Sequence, residues 1–286
     1  MGWQLRYASH LGFRSLQAPL FAASVGNLEP IAHIRFAHEL GFAGVQDALA
    51  RQRSTEQVEQ IGRTLAQLSL EPGCMLYASM EIVKAPLWGS TQAEDRRVRM
   101  NELRAAIEVA HRLGTRRIAI LTGASPHLPR SLQLAAFVDA LREAAELAER
   151  ADVVLCLETL NSQAVPNMLL QNIGEAYLVT RAVASSRVRL IFDTAHVQIM
   201  DGDLLTNLSR VWDAVEVVQI ANVPGRVEPE RGEIAMARVL QHLHAHRYTG
   251  LVELEHLWAS PGADAEARGI AYLRELERDL ASPGAN

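Results

Sequence analysis

The chain is expected to fold as one (β/α)8 barrel over residues 1–286, and three features of the sequence point there. Eight short apolar runs alternate with eight amphipathic stretches from end to end. The apolar runs are nearly continuous, as in parallel strands buried on both faces. A length of 286 residues suits one such barrel, and neither a linker nor a composition break divides it. A doubly wound open sheet is the alternative arrangement of the same units.

The elements follow in order. "LRYASHLGF" opens as a strand. "NLEPIAHIRFAHELGF" reads as a helix with Asn27 as its cap, because Ile31, Ile34, Ala37 and Leu40 recur at helical spacing. "AGVQDA" is the second strand, and in "RSTEQVEQIGRTLAQLSL" Ser54 and Gln57 have the spacing of a capping box. "CMLYASM" is the third strand, followed by a helix, "AEDRRVRMNELRAAIEVAHRLG", that Gly114 ends. "RRIAILTG" and "DVVLCLETLN" are the fourth and fifth strands, with the helix "RSLQLAAFVDALREAAELAERA" between them. "IGEAYLVTRAVAS" is helical, "VRLIFDTAHV" is the sixth strand, and "GDLLTNLSRVWD" is the next helix. "AVEVVQIANV", "EIAMARVLQHLHAHR", "GLVELEH" and "DAEARGIAYLRELERDLA" complete the seventh and eighth units. Stretches 83–90 and 223–232, rich in Pro and Gly, read as loops over one barrel face.

Composition removes several classes. With 49% hydrophobic and 21% charged residues the chain is an ordinary globular one. A net charge of −5, dispersed along the chain, is no footprint for nucleic acid. Cys74 and Cys156, both in apolar runs, are expected to be reduced core thiols of a cytoplasmic protein. "MGWQLRYASHLGF" has no apolar core of a signal peptide, and no run is long enough to span a bilayer. Lys84 is the only lysine, so any Schiff-base chemistry would rest on it alone. No G-x-G-x-x-G or Walker motif is present. The expected partner is a small-molecule substrate, without nucleic acid or membrane, and homo-oligomer formation stays open.

A barrel carries its chemistry at the C-terminal ends of its strands. Strand five ends in Glu158, strand six in Asp193, strand seven reaches Gln219 and strand eight ends in Glu255, each about one strand–helix unit from the last. Strand alternation puts Glu158 in phase with Val154 and Cys156, and Gln219 with Val215 and Val217. It also puts Glu253 one layer beneath Glu255, an awkward place for a charge; a register slip would exchange the two. Alone, a strand-end Asp more often caps the following helix. Together, three carboxylates and an amide repel unless a cation sits among them, and all-oxygen ligands suit Mg²⁺ or Mn²⁺. Glu158, Asp193, Gln219 and Glu255 are therefore the expected metal ligands. By default His196 is an ordinary histidine, Arg226 a solvated loop charge and Trp88 a packing residue.

"FDTAHVQIMDGDL", "VVQIANVPGRVEPERGEI" and "LCLETLN", with "GLVELEH" more loosely, resemble the hydroxypyruvate isomerase group of the xylose isomerase-like superfamily of sugar isomerases and epimerases. The resemblance is dense from about residue 153 onward. It implies the same four metal ligands, with Glu158 and Glu255 doubling as the proton-transfer pair. It implies substrate contacts from His196 and Arg226, to which we add Trp88. Gln219 stands where the 3-epimerase relatives carry histidine, and so favours the hydroxypyruvate isomerase branch. Gln46-Asp47 replaces a common Val-Glu, and His256 an aromatic residue, while the N-terminal third matches poorly.

The reaction so implied interconverts a 2-hydroxyaldehyde and a ketone through an enediolate, with a metal binding the two oxygens and a glutamate moving the carbon-bound proton. Both carboxylates acting on one carbon would give a ketose 3-epimerase instead. The planar fork of Arg226 suits a substrate carboxylate, hence a small oxo-acid of the hydroxypyruvate or tartronate semialdehyde kind. A metal-dependent hydrolase such as an abasic-site endonuclease is disfavoured, since only His196 joins the constellation. A non-catalytic sugar-binding barrel is the reading of another class.

Overall fold

The computed structural model describes residues 2–281. Nine parallel strand segments carry the architecture: β1 (Arg6–His10), β2 (Gly44–Gln46), β3 (Glu71–Pro72), β4 (Met75–Leu76), β5 (Arg117–Ile120), β6 (Val154–Leu157), β7 (Val188–Asp193), β8 (Val215–Gln219) and β9 (Leu251–Glu253). Their order is β3-β2-β1-β9-β8-β7-β6-β5-β4. The two ends of that order, β3 and β4, are consecutive pieces of one strand. Gly73 N–H still donates to Val45 O and Leu76 N–H to Ala48 O, while Tyr77 N–H donates to Ala119 O. The sheet is thus closed into eight barrel strands, and the expected third strand is displaced to start at Glu71 and is broken at Gly73-Cys74.

The helices are α1 (Ala22–Val25), α2 (Pro30–Glu39), α3 (Thr55–Gln67), α4 (Met80–Lys84), α5 (Ala93–Leu113), α6 (Arg130–Ala151), α7 (Ile173–Val183), α8 (Thr194–Met200), α9 (Leu204–Val211), α10 (Met236–Ala245) and α11 (Ala263–Ala281). The Ser54 capping box is complete, with both reciprocal bonds made. Gly114 closes α5 in the left-handed region at φ 88°, its N–H on Ala110 O. Asn27 does not cap α2. That helix starts at Pro30 after Glu29, and the Asn27 side chain instead accepts from Glu29 N–H within the preceding turn. The sixth strand stops at Asp193; Thr194 to Val197, expected to extend it, form the first turn of α8. Short helices α1 and α4 add to the expected elements, α4 taking Met80 from the expected third strand and Val83 and Lys84 from the expected loop.

The core runs through the barrel and between barrel and helices, with Tyr7, Val45, Met75, Ile118, Leu155, Leu190 and Val252 all closed off from solvent. At the N-terminal mouth the lining is ionic. Glu71 pairs with Arg6 at 2.7 Å and with Arg117, which also reaches Glu216 at 3.0 Å. Burial raises the Glu71 carboxyl, but the Arg117 and Arg6 guanidiniums outweigh it and hold it below its ordinary value. The polar rim described next lies at the opposite end. No helix among the described residues is long and apolar enough to cross a membrane.

Candidate active site

Four strand ends bring the four expected residues to one rim. Glu158 directly follows β6, Asp193 and Gln219 are the last residues of β7 and β8, and Glu255 lies two past β9. Asp193 pairs in register with Gln219, and Gln219 with Glu253. All four residues are buried, none more than 8% exposed. Chain direction alone explains this placement: every parallel strand ends at the same mouth, so each lifts its last side chain to it.

Asp193 has partners of two kinds. It caps α8, accepting from His196 N–H at 2.9 Å, and it takes Arg226 Nη2 at 2.6 Å. Burial raises its carboxyl, yet the nearby Arg226 and the His196 contacts hold it below its ordinary value, so it is ionised. The same Arg226 nitrogen bonds Glu255 Oε2. Glu255 Oε1 accepts from Gln46 Nε2 at 2.8 Å and from Gln219 Nε2 at 3.1 Å. Glu255 is thus surrounded by donors on both oxygens, although burial still raises it. Glu158 differs: burial, then Glu255 and Asp193, push it well above the usual carboxylate range, and it lies 3.9 Å from His196 Nε2.

The proton on His196 is placed by Asn161. His196 Nδ1 faces both Asn161 N–H at 3.0 Å and Asn161 Nδ2 at 2.8 Å, so it is the acceptor and Nε2 carries the hydrogen. Burial lowers the ring to about 4, which keeps it neutral near pH 7.

Arg226 is no solvated charge leaning over the rim. It is 8% exposed, lies with its guanidinium 5.1 Å from the Phe13 ring, and gives one nitrogen to two carboxylates. Its Nε and Nη1 have no hydrogen-bond partner among the described residues. It arrives on a tight reversal: Asn222 and Val227 exchange backbone hydrogen bonds at 2.8 and 2.9 Å, with a cis Val223–Pro224 bond and Arg226 itself at φ 55°. Asn222 locks the rest of the loop, donating to Pro229 O and Ile234 O and accepting from Val223 N–H and Ile234 N–H.

Trp88, expected to touch substrate, is fully buried, edge-on to Tyr77 and Phe137 with centroids 5.7 and 6.3 Å away. Among the described residues its ring contacts are with these two aromatic side chains. Three residues escaped the sequence reading. Gln46 obeys the strand-end rule and was there to be collected; Asn161 sits three residues beyond Glu158; nothing local marks Phe13.

The donor set fits a hard divalent cation. Carboxylate oxygens of Glu158 and Asp193 lie within 4.8 Å of each other and of a ring nitrogen of His196. The buried Gln219 Oε1 has no hydrogen-bond partner among the described residues, and Glu158 lacks a counter-charge as close as the Arg226 contacts of its neighbours.

The xylose isomerase-like TIM barrel family matches residues 34–276. The chain belongs to that family. A human relative, named provisionally as a hydroxypyruvate isomerase, is 30% identical over 274 residues, covering 90% of this chain and 95% of that protein. The hydroxypyruvate isomerase of Escherichia coli strain K12 is 30% identical over 170 residues, 59% of this chain and 64% of that enzyme. Among solved structures of the family's fold, a Brucella melitensis protein described as an AP endonuclease of family 2 superposes with a TM-score of 0.78 at 24% identity, over 95% of this chain and 98% of that one. At that identity it speaks to the fold alone.

Proposed function

We propose that this family member is a divalent-metal-dependent isomerase that shifts a proton between adjacent carbons of a small 2-oxo acid of the hydroxypyruvate kind. The observation that carries it is the buried rim itself. Three carboxylates share it with an amide whose oxygen has no hydrogen-bond partner among the described residues, beside a guanidinium of which two nitrogens have none there either. Glu158, Asp193, Gln219 and Glu255 would hold Mg²⁺ or Mn²⁺. When bound, that ion supplies Lewis-acid polarisation of the substrate carbonyl and compensates the gathered negative charge.

The remaining steps belong to the chain. Glu158 takes the carbon-bound proton and returns it to the neighbouring carbon. It suits this better than Glu255, whose oxygens already accept from Gln46, Gln219 and Arg226. Neutral His196 offers its Nε2 hydrogen to the carbonyl oxygen as charge develops there, and the proton of the neighbouring hydroxyl passes to that oxygen as the hydroxyl becomes the new carbonyl, so one proton moves between carbons and one between oxygens. The free nitrogens of Arg226 receive the substrate carboxylate, a charge-assisted contact that selects acids over neutral sugars. Burial of the rim keeps water from the reacting carbons. The names of the human and E. coli relatives support this reading. We also place the enzyme in the cytoplasm, in line with its two buried free thiols, Cys74 and Cys156.

Glu158 and Glu255 border one site, and proton removal by one with return by the other to the same carbon would make a ketose 3-epimerase. Proton NMR in D₂O with Mn²⁺ or Mg²⁺ separates the two. Hydroxypyruvate should give tartronate semialdehyde, with deuterium at the adjacent carbon only to the extent that the proton held on Glu158 exchanges with solvent. Exchange confined to one carbon of a ketose would identify the epimerase, and ligand binding without product or exchange a non-catalytic barrel.

A further inference from the structure

Glu253 belongs to no step above, yet it is a carboxylate with 0% exposure one layer beneath the rim. Its Oε1 accepts from Cys74 N–H at 2.6 Å and its Oε2 from Gln219 Nε2 at 3.0 Å. The barrel is broken to receive it. The third strand parts between Pro72 and Met75, and a Cβ on Gly73 would lie 2.5 Å from Glu253 Oε1 and 2.9 Å from the Gln46 backbone. Only glycine leaves that space, so strand break, glycine and buried acid form one device.

From this geometry we infer that Glu253 is a positioning residue: it fixes which end of the Gln219 amide faces the carboxylate cluster. An amide has a donor end and an acceptor end of nearly equal size, so packing cannot choose between them. Here the NH₂ group is claimed twice, by Glu253 Oε2 and by Glu255 Oε1. The oxygen is thereby turned away from both and has no hydrogen-bond partner among the described residues. An amide can ligate a cation only through that oxygen. The inference rests on the reading of Gln219 as a cation ligand.

The test is Glu253→Gln, nearly identical in shape. Cys74 N–H keeps the new amide oxygen, so the new NH₂ must face Gln219. Gln219 then either turns its oxygen inward, against Glu255, or keeps two NH₂ groups in opposition. Mn²⁺ affinity, read by electron paramagnetic resonance of the free ion, should fall about 10–100-fold. The unfolding midpoint of the metal-free protein should stay close to that of the parent. Glu253→Gln with Gln219→Glu restores a matched donor and acceptor between these two positions and a cation-facing oxygen, with an oxygen still set against Glu255, and should recover part of the lost affinity. That double variant decides the matter even if the single one folds poorly. Parental Mn²⁺ affinity in Glu253→Gln, or no recovery in the double variant, overturns the positioning role while leaving the cation site standing. Absence of Mn²⁺ binding by the parent protein overturns both.

Discussion

His196 can donate from Nε2 because Asn161 occupies Nδ1 with two donors. Asn161→Ala removes the side-chain donor and leaves one backbone N–H to hold the tautomer. The loss of a well-aimed hydrogen bond to substrate costs about 0.5–1.5 kcal/mol, so kcat/KM should fall up to about tenfold. Nitrogen-15 chemical shifts of the ring should report the mixed tautomers; an unchanged ring with unchanged kinetics would remove His196 from the mechanism. Arg226→Met separates two roles. Binding of hydroxypyruvate should weaken by about 1.5–3 kcal/mol through loss of a charged hydrogen-bond partner, while a neutral ketose such as tagatose is spared. Because Arg226 also pairs with buried Asp193 and Glu255, the metal-free variant should lose about 3–5 kcal/mol of stability, which denaturant titration measures. At this scale the strand-end rule made Glu158, Asp193, Gln219 and Glu255 legible from spacing. The burial of Arg226 was not, since loop residues 222–234 fold on themselves through Asn222, and such long-range hydrogen bonding leaves no periodic trace.

Among the elements, the strong periodicities were readable and the interruptions were not. Ser54 and Gln57 announce α3, and Ser54→Ala should cost about 1 kcal/mol in denaturant titrations with no change in turnover. "FDTAHV" could not disclose where β7 yields to α8. Its β-branched and apolar residues suit either state, and the Asp193 side chain decides by capping His196 N–H. The break between β3 and β4 was invisible for a similar reason: its cause, Glu253, lies 179 residues away from Cys74. Likewise Trp88 stands in a loop by sequence, but the packing of Tyr77 and Phe137 around it draws the ring into the core.

For the whole molecule, the two mouths of the barrel respond to different variables. The N-terminal mouth responds to acid. The folded-state value of Glu71 lies below its ordinary one, so its stabilisation is complete above the ordinary carboxylate range and is lost as pH falls through the depressed value. Glu71→Gln should therefore cost about 1–3 kcal/mol at pH 7 and progressively less toward pH 3, where the parent loses the same contribution. Urea midpoints of both proteins across that range check the sign. On the proposed reading, the C-terminal mouth responds to cations. Mn²⁺ at a hundred times its Kd should stabilise the fold by about 2.7 kcal/mol, a rise of several degrees in Tm that EDTA reverses. The reversal that delivers Arg226 has a wider consequence. On the proposed reading, the carboxylates that move protons follow barrel strands, whereas the charge that selects acids comes on a loop folded around Asn222 and joined to Leu257 and Ala259. Chemistry and substrate choice would then be inherited on separate stretches of the gene. Exchange of residues 222–234 between relatives would redirect the enzyme to a new substrate while its catalytic carboxylates pass unchanged to the descendants.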